Sequence, residues 1–166
     1  RRRSLANAVF ATAFAAVFGR RVPVVTPRAI AVGAAAAAVP VTAYAVATAL
    51  PGARDGLAKR ARETQLRPWI TFDIPVGTVY AEELIFRGVL TPMLGPTCGA
   101  LVFGLWHIHP AEVAGENVAA TVAVTAAGGV VFDWLARRGG ALAAPALAHL
   151  AINVGGAVAS HVAGRA

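Results

Sequence analysis

Residues 69–94 read WITFDIPVGTVYAEELIFRGVLTPML. The stretch is apolar enough and long enough to cross a bilayer, which takes about 20 residues of helix. Yet it carries Asp73, Glu82, Glu83 and Arg87. A charged group near the bilayer centre costs about 2.5–3.5 kcal/mol on insertion scales, so each one asks for a reason. On a helix, Glu83 and Arg87 lie four apart with the acid N-terminal, the favourable order for an ion pair. Glu82 points about 100° further round and finds no partner on its own helix. One paired and one unpaired carboxylate in an apolar setting suit either a general acid or base or an interhelical salt-bridge cluster.

Outward from this stretch the chain stays apolar. Its 166 residues are 57% hydrophobic and only 14% charged, with a mean hydropathy of +0.64. Soluble domains carry about a quarter charged residues, so most of this surface faces something other than water. Residues 5–18 make a short apolar run, half a span or an interfacial helix. Residues 29–50 are uncharged and read as a clean crossing with a kink at Pro40. Residues 51–68 (PGARDGLAKRARETQLRP) form the one aqueous stretch and suit an amphipathic surface helix. After the Gly95-Pro96 break, residues 97–109 run to a stop at Pro110, and 111–117 read as a loop. Residues 118–135, closed by Arg137-Arg138-Gly139-Gly140, and 141–162 are the last two runs. The expected fold is all-α: a polytopic bundle of about five to six transmembrane helices around a polar site. The runs are too continuous for alternating barrel strands. One membrane domain, 1–166, is expected, with N-terminal spans and a basic loop in 1–68 and a core in 69–160.

The net charge of +7 does not point to nucleic acid. Its basic residues cluster between spans, at Arg1–Arg3, at Arg20, Arg21 and Arg28, from Arg54 to Arg67, and at Arg137 and Arg138. No aromatic residues are interleaved for base stacking. Such charge is what membrane loops carry, and it flanks so many spans that it selects no orientation. The single cysteine, Cys98, excludes an intrachain disulfide and suggests a small packing residue. The Arg- and Ala-rich, almost Lys-free composition suggests a GC-rich bacterial genome, hence a multi-pass protein of the bacterial cytoplasmic membrane.

Two further polar groups interrupt the spans. His107 ends Phe103-Gly104-Leu105-Trp106-His107; His109, two residues on, reads as a boundary residue. His149 and Asn153 share a helix face in His149-Leu150-Ala151-Ile152-Asn153. Such a pair can donate two hydrogen bonds to one oxygen, as an oxyanion hole requires. Singly, each is as readily a structural contact. Converged from three helices, they make a set for adding water to an amide carbonyl.

Glu82-Glu83-x-x-x-Arg87, Phe103-x-x-x-His107 and His149-x-x-x-Asn153, in this order, resemble the signature motifs of the CAAX protease and bacteriocin-processing (CPBP) family. That family includes the type II CAAX prenyl endopeptidases. The resemblance covers about residues 69–160 and implies an intramembrane endopeptidase of glutamic type. It casts Glu82 and His107 as the water-activating pair, His149 and Asn153 as the oxyanion hole, and Glu83, Arg87 and Phe103 as supporting residues. It implies no cofactor, although Glu82, His107 and His149 could in principle hold a zinc ion. The implied partners are the lipid bilayer and a peptide or membrane-protein substrate, lipid-modified or not. Two rivals stay open: a non-catalytic family member serving bacteriocin immunity or peptide binding, and a proton-coupled carrier with buried Glu and His in a relay. Hydrolysis needs these groups gathered about one water, whereas a relay strings them across the bilayer.

Overall fold

A computed structural model of the chain describes residues 1–19, 22–61 and 65–165. Among them there is no strand. The basic pair Arg20 and Arg21, and part of the aqueous stretch at 62–64, lie outside the described residues. Helix α1 is Arg2–Phe18, α2 Pro27–Ala49 and α3 Pro51–Ala58. Helix α4, residues 66–94, is composite: an opening turn Leu66–Pro68, π-helical Trp69–Tyr80, α-helical Ala81–Ile85, π-helical Phe86–Leu90 and α-helical Thr91–Leu94. Then come α5 (Pro96–Trp106), α6 (Ile108–Ala114), α7 (Val118–Gly139) and α8 (Ala143–Ala163). The expected all-α bundle is therefore present, with α3 and α6 as short additions to the longer helices.

The helix ends follow from local chemistry. Thr26 caps α2 by accepting from the Ala29 N–H at 3.0 Å, and Asn117 caps α7 by accepting from Ala120 at 2.9 Å, satisfying orphan donors. Gly95 separates α4 from α5 with φ +82°, a region costly for any residue with a Cβ. One boundary departs from expectation. The break falls at His107, not at Pro110, and the helix Ile108–Ala114 takes in the first part of 111–117, expected as a loop. Pro110 occupies the first turn of α6, where its missing N–H leaves no helical bond unmade.

Helices α2, α7 and α8 are each long and apolar enough to cross a membrane. They leave Val39, Val46, Val124, Val130 and Val162 half or more exposed. With no water-facing chemistry on those surfaces, lipid is the solvent they fit. Cys98, expected as a small packing residue, is exposed at the start of α5.

The interior is built from small residues and rings. Helices α2 and α8 make the most extensive contact, and α8 also packs on α7 and α4. Helix α1 packs on α4, and polar side chains tie the two together. Ser4 donates to Asp73 Oδ1 at 2.5 Å, Asn7 to the Gly77 carbonyl at 3.1 Å, and Thr12 meets the Tyr80 hydroxyl at 2.8 Å. Phe86, Phe103 and Phe132 form the aromatic centre of the core. Phe103 meets Phe86 edge-on with centroids 4.8 Å apart and Phe132 edge-on at 6.1 Å, geometries that aromatic quadrupoles favour.

Candidate active site

The two carboxylates sit in the short α-helical turn of α4, between its π-helical segments. π-Helical turns are rare and gather at functional sites. Glu83 is buried with Arg87 one turn on. Arg87 Nη1 lies 3.5 Å from Glu83 Oε1, and Nη2 donates to the Gly129 carbonyl of α7 at 3.2 Å. Gly129 also lets α7 close on α5: a Cβ there would stand 3.0 Å from the Ala100 Cα. The guanidinium also lies over Phe103, 4.4 Å from its centroid, within the range of cation–π attraction.

The sequence reading paired Glu83 with Arg87 alone. The structure adds His149, whose Nδ1 lies 2.8 Å from Glu83 Oε1. A carboxylate accepts, so Nδ1–H donates and the other nitrogen, Nε2, is turned outward. Nε2 stands 3.8 Å from Glu82 Oε2. His107 repeats the arrangement from another helix: its Nδ1 donates to the Phe103 carbonyl at 2.8 Å, and its Nε2 lies 4.0 Å from the same Glu82 oxygen. Its backbone sits at φ −90°, ψ 2°, the sparsely populated bridge region common in active sites. The Phe103 motif position thus holds His107 through its carbonyl as well as packing its ring.

Glu82 Oε2 is buried and makes no hydrogen bond, although its side chain keeps 12% exposure. Glu82, His107 and Asn153 line a cavity of about 960 Å³. Asn153 donates through Nδ2 to the His149 carbonyl at 3.2 Å, which leaves its second N–H for the cavity. His149 is more withdrawn, behind Glu82, with its ring stacked on Phe132. His109 is exposed near Glu112, in keeping with a boundary residue. Among the described residues, no group of three or more His, Cys, Asp or Glu is arranged to hold a metal ion.

Three features escaped the sequence reading. The tie from Ser4 to Asp73 was signalled by Ser4 and Asn7 at helical spacing, facing the one unassigned acid of α4. Neither Phe132 nor the Gly129 carbonyl had any such signal: the one acid of α7, Asp133, is buried but pairs with Arg137 on its own helix.

A helical membrane protein with a carboxylate and an imidazole on one cavity, and a second imidazole behind that carboxylate, is the class that fold and site define. The family model described as type II CAAX prenyl endopeptidase Rce1-like matches residues 64–155, more than half of the chain. The chain belongs to that family and is, at family level, a CAAX-protease-like membrane endopeptidase. Comparison with curated proteins and with solved structures finds no match.

Proposed function

We propose that this protein hydrolyses a peptide bond within the membrane with a water activated by Glu82 and His107. The observation that carries the reading is Glu82 Oε2: buried, without a hydrogen bond, and faced by Nε2 of both His107 and His149. A gap of 4.0 Å is too long for a direct bond. Two donated bonds of about 2.8 Å from one water set their acceptors about 4–5 Å apart. A water so held gives one hydrogen to each group and keeps a lone pair for the substrate carbonyl. The oxygen attacks the carbonyl carbon as Glu82 takes the proton. The oxyanion accepts from Asn153 Nδ2, and from His149 Nε2 when both ring nitrogens carry protons. As the C–N bond breaks, Glu82 returns its proton to the leaving amine, giving a carboxylic acid and an amine; the acid's proton then passes to the amine, leaving a carboxylate and an ammonium.

The groups are gathered at one place rather than strung along a path, which favours hydrolysis over a proton relay. The cavity extends along α4 and α8 past Gly77, Asp73, Asn153 and Gly156, room for an extended peptide. The proposed substrate is a peptide or membrane protein, lipid-modified or not, in the cytoplasmic membrane of a bacterium.

The test is cleavage of a fluorogenic peptide library by the detergent-purified protein. Glu82→Gln should lose about 10²–10⁴-fold in rate, the range for a general base. Cys98→Ala and chelated wild type should remain active. Loss on chelation, restored by zinc, would make Glu82, His107 and His149 metal ligands instead. A folded wild type that cleaves nothing would point to peptide binding or immunity.

A further inference from the structure

Phe132 lies on α7, at the end of a stretch that otherwise reads Ala, Gly and Val (AAGGVVF, 126–132). A ring that merely filled the core would rest on aliphatic side chains. This one rests on the polar site. Its face stacks on the His149 imidazole with centroids 4.8 Å apart and an interplanar angle of 23°. The Arg87 guanidinium carbon lies 5.1 Å from its centroid. Both neighbours contact the same atom, Glu83 Oε1, at 2.8 Å from His149 Nδ1 and 3.5 Å from Arg87 Nη1. Phe103 closes the far side, edge-on to His149 at 6.1 Å.

We propose that Phe132 is a positioning residue for the hydrolytic site: it fixes the plane of the His149 ring so that Nδ1 stays on Glu83 while Nε2 stays on Glu82. An imidazole has two torsions, and one hydrogen bond at Nδ1 leaves the ring free to pivot about it. A flat ring stacked at van der Waals distance removes that pivot, because rotation would drive the imidazole edge into the Phe132 face. The ring also attracts the guanidinium, 5.1 Å from its centroid, through its quadrupole. One side chain therefore orders both partners of Glu83 without touching substrate. His149 Nε2 is 3.8 Å from Glu82 Oε2, so a tilt of the ring would carry it off the reacting oxygen, and misplacements of about 1 Å cost up to 10²-fold in rate.

The inference rests on the hydrolytic reading above, and the experiment separates the two. Phe132→Leu removes the ring and keeps an apolar side chain; Phe132→Tyr keeps the ring. The expected result is a fall of about tenfold in kcat for Phe132→Leu, with KM within twofold, and recovery of most of kcat in Phe132→Tyr. Independently of activity, protein with ¹⁵N-labelled histidine reports the Nδ1 proton of His149, assigned by its loss in His149→Asn. Its exchange with solvent should quicken at least tenfold in Phe132→Leu, as in Glu83→Gln, and stay slow in Phe132→Tyr. Should the leucine variant fail to fold, Phe132→Met serves in its place. Equal losses of kcat in the ring-keeping and ring-lacking variants would overturn the proposal, as would unchanged proton exchange. If the wild type cleaves nothing, the hydrolytic reading fails and the exchange comparison still decides whether Phe132 positions His149.

Discussion

Arg87 should be held in place by Glu83 to a degree that stability measurements can read. At 3.5 Å the two opposite charges attract by about 5 kcal/mol at an effective dielectric of ~20. Both side chains are almost wholly buried, so desolvation offsets most of that gain, and the pair as a unit contributes little net stability. Breaking it is another matter. Arg87→Met keeps the volume and leaves the Glu83 carboxylate with the His149 Nδ1–H as its remaining partner; such half-removals cost about 3–5 kcal/mol. Glu83→Gln still offers an oxygen to His149 Nδ1 but strands the guanidinium, whose Nε already lacks a partner. Its cost should fall in the same range. The double variant removes both charges and should return to within about 1–2 kcal/mol of wild type. Unfolding by SDS titration in mixed micelles measures all four corners of the cycle. A thermal scan would show each single variant lowered by about 6–20 °C, at about 2–4 °C per kcal/mol for a domain of this size. Strictly additive losses in the double variant would refute the reasoning, as would single losses below about 1 kcal/mol. Either result would mean that the pair is wet or unformed.

Asn153→Ala should lower kcat by about 10²–10³-fold, the loss seen when one oxyanion donor is removed, with KM changed only severalfold in the same peptide assay. A drop in KM affinity with kcat intact would assign Asn153 to substrate binding instead. Gly77→Leu should destabilise the protein by about 1–3 kcal/mol in the SDS titration, because even its Cβ would lie 2.6 Å from the Ser4 Cβ and force α1 off α4. Gly128→Ala, whose Cβ meets nothing within 4 Å, is the control and should be neutral or gain up to about 1 kcal/mol.

The sequence by itself determined the solvent and the class of fold. Uninterrupted apolar runs near the length of a bilayer crossing leave helices as the structure that satisfies the backbone in lipid, and α2, α7 and α8 follow those runs closely. It also marked the polar residues that the fold brings together around Glu82, because a charge in such a chain stands out against its surroundings, although Asp133, buried in α7, was passed over. Glu82, Glu83, Arg87, His107, His149 and Asn153 were all legible on that ground. The α5–α6 boundary was not, since a proline reads as a stop whether it ends one helix or opens the next.

What the tertiary structure decided is who faces whom. Helical spacing pairs Glu83 with Arg87 but cannot say that His149, 66 residues away, reaches the same oxygen. It cannot turn both Nε2 atoms toward Glu82, because each is aimed by what the other nitrogen holds: a carboxylate from α4 for His149 and the Phe103 carbonyl for His107. Nor does it distinguish Phe132 from any other core ring. An apolar side chain carries no mark of its neighbours in sequence, and only the packing of α7 against α4 and α8 places that face against an imidazole and a guanidinium.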